Sequence, residues 1–149
     1  MQREKPKLLG EILLEAGYIT SEQLQYALNI QHGNRKKKLG QIFVELKYLT
    51  PSDICIALAT QFHFPWIDLS HEKIPIEIAT SLPEAAVRKF EVIPVERKGE
   101  TVLIVATSQP QDPNLELEII KFTPLKVELV VAYEVYIESA INYYFPAKE

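Results

Sequence analysis

The sequence predicts an α+β fold: a helical region of two helix-turn-helix repeats, then a region holding a small, mainly antiparallel three-stranded sheet flanked by helices. Three observations predict it. Residues 7–31, KLLGEILLEAGYITSEQLQYALNIQ, recur at an offset of 30 as KKLGQIFVELKYLTPSDICIALATQ in residues 37–61, with ten of the 25 aligned positions identical. Such a repeat is one supersecondary unit used twice. Past Gln61 the chain turns aromatic and proline-interrupted, then alternates short apolar runs with turn signals. Charge changes at the same place: residues 1–62 carry 8 Lys and Arg against 6 Asp and Glu, and residues 63–149 carry 8 against 14. We divide the chain into a helical tandem-repeat subdomain, 1–62, and an α+β subdomain, 63–149.

In the first repeat Ile12, Leu13 and Ala16 share a helical face, and Gly17 suits the left-handed position that ends a helix. Thr20 then caps a second helix, with Gln23 completing a capping box. Leu24, Ala27, Leu28 and Gln31 recur along it at helical spacing. The second repeat uses the same grammar, with Thr50 as cap, Pro51 at the first helical position and Asp53 in the first turn. Ile54, Ala57, Leu58 and Gln61 match the first copy, while Lys47 replaces Gly17. The polar, basic linker at residues 32–37 is expected to be exposed. The segment FHFPWIDL reads as an ordered connector. Prolines 75 and 83 each open a short helix. The stretches 91–96 and 101–107 flank Arg97-Lys98-Gly99-Glu100 as a hairpin. Asp112-Pro113-Asn114 starts a helix burying Leu115, Ile119 and Phe122. A third strand covers 126–132, and a last helix runs from Glu134 to Tyr144.

Composition narrows the function classes. With 149 residues, of which 47% are hydrophobic, the chain can bury a core. A net charge of −4 argues against DNA or RNA as a partner. The single Cys55 excludes an internal disulfide and suggests a reducing compartment. No apolar run approaches the roughly 18 residues that span a bilayer, and the N-terminus lacks the apolar core of a signal peptide. These features predict a soluble cytoplasmic protein without direct membrane insertion.

The residues offer no catalytic constellation. The glycines form neither a phosphate-cradling loop nor G-x-G-x-x-G. One cysteine and three scattered histidines make no zinc site, so neither a metal nor a cofactor is expected. Cys55 lies in an apolar helical stretch and reads as a buried thiol. The carboxylates alternate with apolar residues as solvated faces do.

The repeats do offer a binding surface. Leu9-Gly10 and Leu39-Gly40 stand where a helix begins, and glycine lets a ligand approach the backbone. Leu24 with Leu28, and Ile54 with Leu58, form apolar strips one turn apart. Gln31 and Gln61 put an amide at the end of each strip, suited to a heterocycle edge. Leucines at helical spacing are ordinarily core, and a glutamine at a helix end is ordinarily solvated. The argument for a site is that all these features recur at one offset, which suits a ligand with two similar halves.

The tandem run L-G-x-I-L-x-x-x-G-x-I-T-x-x-x-L-x-x-A-L-x-x-Q resembles the N-terminal domain of the ATPases that power type II secretion and type IV pilus assembly, the general secretory pathway protein E class. The stretches FHFPWIDL, SLPEAAVRKFEVIPV and LIVATSQPQDP and the closing helix continue the likeness. The resemblance implies a non-catalytic accessory domain without the ATP-hydrolysing core. Such a domain docks the motor to the cytoplasmic part of an inner-membrane platform protein, and so sits at that membrane through a protein partner. In one branch of the family the tandem motif binds cyclic di-GMP, one half of the ligand per copy. By position the resemblance assigns Leu9, Gly10, Leu24, Leu28 and Gln31 in the first copy, and Lys38, Leu39, Gly40, Ile54, Leu58 and Gln61 in the second. The family's binders carry Arg before each Leu-Gly, where this chain has Leu8 and Lys38. Leu8 cannot donate a hydrogen bond, and Lys38 keeps the charge without the bidentate fork. One lost charge-assisted hydrogen bond costs roughly 1.5–3 kcal/mol, about ten- to hundredfold in affinity. Lys7 and Arg35 are the nearby cations that could compensate.

Overall fold

The computed structural model describes residues 8–147. The first repeat folds as α1, Leu9–Glu15, and α2, Ser21–Gly33; the second as α3, Leu39–Glu45, and α4, Pro51–Phe62. Both repeats turn between their helices through a left-handed residue, Gly17 at φ 82° and Lys47 at φ 62°. The second copy thus keeps the turn although its side chain makes that conformation costlier than it is for glycine. Thr20 and Thr50 complete reciprocal capping boxes. Each hydroxyl accepts from the N–H three residues on at 3.1 Å, and the Gln23 and Asp53 side chains accept from the threonine N–H groups at 2.9 Å. The boxes satisfy N–H groups that a helix start leaves unpaired.

The repeats pack by exchange. Helix α1 lies against α4, and α3 lies against α2. Ile12, Leu13, Ile42 and Phe43 fill the centre with Ala27, Ala57 and Leu58. Ala16, predicted to share the buried face, is exposed, because α1 stops at Glu15 and Ala16 already belongs to its C-cap. The second copy lies deeper: Ile54 and Leu58 are buried, Leu24 and Leu28 only half-buried.

The connector then crosses to the sheet. Ile67 N–H donates to the Val131 carbonyl, and Val131 N–H to the Pro65 carbonyl, both at 2.9 Å. The remaining elements are α5, Ile76–Ala79; α6, Glu84–Phe90; β1, Val92–Lys98; β2, Val102–Thr107; α7, Leu115–Ile119, with a 3-10 turn at Ile120–Phe122; β3, Lys126–Val131; and α8, Glu134–Tyr144. The sheet order is β1-β2-β3. The β1–β2 hairpin is antiparallel, but β2 and β3 are parallel, in register from Val102 opposite Lys126 to Thr107 opposite Val131. The sheet is therefore mixed rather than mainly antiparallel. The link at 108–125 carries α7 back to the starting edge, the crossover that parallel pairing requires.

Two further details differ from expectation or reinforce it. Phe122 is 42% exposed rather than buried, its ring edge-on to Phe90 with centroids 6.0 Å apart. Leu115 and Ile119 are buried as expected. Val92, Ile93, Leu103, Val105 and Val127 pack with Ile137 and Ile141 of α8. The Tyr144 hydroxyl accepts from Ile74 N–H at 3.1 Å and donates to the Ile74 carbonyl at 2.6 Å, fastening α8 to the connector. Val131 and Tyr133, at the end of β3, pack instead among the helical repeats. No helix among the described residues is long and apolar enough to cross a membrane.

Candidate functional site

A cleft of about 610 Å³ opens between the repeats and the carboxyl ends of the parallel strands β2 and β3. That size falls in the range of roughly 300–1,000 Å³ usual for small-molecule sites. Of the eleven residues predicted from sequence, eight line it: Leu9, Leu28 and Gln31 from the first repeat, and Lys38, Leu39, Gly40, Ile54 and Leu58 from the second. Three do not. Gly10 is buried beneath Leu24, whose Cδ1 lies 2.7 Å from where a β-carbon on Gly10 would stand. Gln61 is exposed and outside the cleft. The Gln31 amide N–H donates to the Lys37 carbonyl at 3.3 Å, which occupies one of its donors.

The two Leu-Gly pairs interlock. A β-carbon on Gly10 would lie 3.3 Å from Leu39 Cδ2, and one on Gly40 would lie 3.4 Å from Leu9 Cδ2. Each leucine covers the glycine of the other copy, the reciprocity that a twofold relationship requires. The missing side chain at each glycine is what lets the leucine approach.

The opposite wall comes from the α+β region: Ser108, Gln109 and Gln111 after β2, and Ala132, Tyr133 and Glu134 after β3. Sequence reasoning missed all six. Their signal is polar residues directly after a strand, at the carboxyl ends where open parallel sheets hold ligands, and it is legible only once β3 is known to run parallel to β2. Ser108 Oγ and Gln111 Oε1 are buried without a hydrogen-bond partner among the described residues, an uncommon state for a buried polar atom.

The electrostatics differ between the halves. Leu8, at the cap of α1, is 68% exposed and brings no charge. Its counterpart Lys38, at the cap of α3, donates to both carboxylate oxygens of Glu91 at 3.0 and 3.3 Å and lies 4.0 Å from Glu134. Burial works to lower the Lys38 pKa, but the hydrogen bond to Glu91 and the charge of Glu134 outweigh it and raise the value above the ordinary one. Glu134 is also raised, chiefly by burial, with Glu91 and Glu138 adding repulsion against the pull of Lys38. The contact itself favours charge on both partners, but at Glu134 burial and the facing carboxylates outweigh the pull of Lys38. Arg88, close by, is engaged by Glu84, Asn142 and the Phe145 carbonyl. Arg35 is exposed and does not line the cleft, and Lys7 lies outside the described residues.

Cys55 is buried, and desolvation, with Asp68 adding to it, pushes its thiol up to about 12. It holds its proton at neutral pH. Among the described residues no group of three or more His, Cys, Asp and Glu could hold a metal ion.

Comparison with known proteins bears on family and fold. The MshEN domain family matches residues 62–149. The type IV pilus assembly ATPase PilB of Myxococcus xanthus (strain DK1622) is 32% identical over 141 residues, 94% of this chain. The chain spans about a quarter of that relative's length, 24%. A structure of MshE with cdg (cyclic di-GMP) superposes with a TM-score of 0.63 at 29% identity, covering 93% of this chain and 99% of that one. The N-terminal domain of XpsE gives a TM-score of 0.64 at 19% identity, covering 95% of this chain and 97% of that one, a likeness of fold alone.

Proposed function

The chain belongs to the MshEN domain family, and from that premise we propose that it is a non-catalytic interaction and regulatory domain of a type IV pilus assembly or type II secretion ATPase. In this role it docks the motor to the cytoplasmic part of an inner-membrane platform protein, with the ATPase core as its other partner where the chain is part of a longer protein. The observation that carries the reading is proportion: 94% of this chain aligns with only 24% of the PilB ATPase. We further propose that residues 1–62 and 63–149 act as two units with the cleft between them. Calorimetric titration with the purified cytoplasmic domain of a platform protein tests the docking. Saturable binding is expected, and no heat at high micromolar concentration would overturn it. ATP hydrolysis by the chain above background would overturn the non-catalytic part.

A second reading has its own support, that the cleft senses cyclic di-GMP through both tandem motifs. Eight candidate residues from the two repeats share one cleft with two polar residues whose side-chain oxygens lack a partner among the described residues, and a solved MshE chain, 99% covered in the match, comes from a structure with that nucleotide. Titration with cyclic di-GMP at near-physiological salt is the test. Binding at micromolar affinity or tighter is expected on this reading, and absence of both heat and thermal shift would remove it.

A further inference from the structure

We infer that Glu91 and Glu134 set the charge selectivity of the cleft, holding down its affinity for phosphate-bearing ligands by occupying Lys38. The inference rests on the second reading above, that the cleft is a nucleotide site. Lys38 is the one cationic side chain among the described residues lining the cleft, and the equivalent position in the first repeat is the apolar Leu8. Its two acidic partners come from the opposite side. Glu91 ends α6 in the left-handed conformation at φ 53°, and Glu134 opens α8. Glu91 lies 3.0 Å from the ammonium and Glu134 lies 4.0 Å from it, with the Glu134 side chain only 18% exposed.

An anion reaching Lys38 must displace Glu91 or lie beside Glu134. Glu134 is too enclosed for salt to screen it well, so its repulsion persists at physiological ionic strength. Lys38 and Glu134 oppose each other within the cleft, while Glu91 reaches Lys38 from the adjoining pocket, which Lys36, Arg88 and Glu138 also line. A doubly charged nucleotide therefore meets no net positive charge on the cleft lining itself, whereas an uncharged ligand is indifferent to that balance. Loss of one carboxylate frees a charge-assisted hydrogen bond for the ligand, roughly a tenfold or greater gain in affinity.

The test titrates cyclic di-GMP into the wild-type chain, Glu91→Gln, Glu134→Gln, the double variant, and the double variant with Lys38→Met, at low and physiological salt. Melting curves check that each is folded. The carboxamide variants are expected to bind about tenfold tighter than wild type, with Lys38→Met abolishing the gain. Wild-type affinity matching that of the variants, or a gain that survives Lys38→Met, would overturn the inference while leaving the sensor reading intact. Should Glu134→Gln not fold, Glu91→Gln, at a more exposed position, carries the comparison. A second probe separates the two ideas. Inorganic pyrophosphate is titrated while the Lys38 side-chain NMR signal is followed. A shift in the double variant alone supports the charge selectivity even if no form binds cyclic di-GMP. Equal shifts in wild type and variant, or none in either, overturn it.

Discussion

Leu9 covers Gly40, with its Cδ2 3.4 Å from where a β-carbon would stand on that glycine. Leu39 repeats the contact on Gly10 at 3.3 Å. Each glycine is thus covered from both repeats, Gly10 by Leu24 and Leu39 and Gly40 by Leu9 and Ile54. Each leucine therefore ties its own repeat to the helix start of the other.

The two glycines are expected to respond differently to alanine. At Gly40 a methyl group meets neighbours at ordinary contact distances, 3.4 and 3.6 Å, so the helix-propensity gain of up to about 1 kcal/mol should emerge. At Gly10 the 2.7 Å approach to Leu24 forces that side chain to rotate, and the gain is offset by repacking. Urea denaturation should rank Gly40→Ala above Gly10→Ala in stability.

The equivalent leucines should also diverge. Leu58 is 2% exposed, and truncation to alanine should cost about 2–5 kcal/mol. Leu28 is half-buried in the cleft wall, so Leu28→Ala should cost less stability and act mainly on ligand binding. Denaturation and titration of the same two variants measure both. A larger loss of stability at Leu28 would reverse the assignment.

Cys55 should resist alkylation. A thiol raised to about 12 by burial is protonated near neutrality, so iodoacetamide should label it only after unfolding. Mass spectrometry with and without denaturant gives the answer, and fast labelling of the native chain would contradict the packing.

Glu134 should leave a mark on pH dependence. Its native pKa lies above the ordinary 4.5, so the native state holds this proton more tightly than the unfolded chain does. That stabilisation is complete below about pH 4.5 and is lost as pH rises through the raised native value. The stability difference between wild type and Glu134→Gln should therefore fall as pH rises above 4.5. Urea midpoints between pH 4 and pH 7 report the trend; a difference that stays constant would mean that the native value is not raised.

Local chemistry was legible in the sequence. The capping threonines, Gly17 in its left-handed turn, the hairpin at Gly99 and the last helix from Glu134 to Tyr144 are each specified by residues a few positions apart. What escaped depends on distant pairing. The direction of β3 is set by its crossover and by its partner Val102–Thr107, which no local signal encodes. The misread direction also hid the second wall, since Ser108 and Glu134 meet at one end of the sheet only when both strands point that way. The contact of Lys38 with Glu91, 53 positions apart, was hidden for the same reason.

The end of β3 has a dynamic consequence. Val131 packs among the repeats while its N–H and carbonyl hold the connector at Pro65 and Ile67. Its amide is released to solvent only when the connector lifts, and that motion opens the helical core at the same time. Hydrogen exchange at this one amide should therefore report a subglobal opening shared by both halves of the chain, slower than the fraying of either.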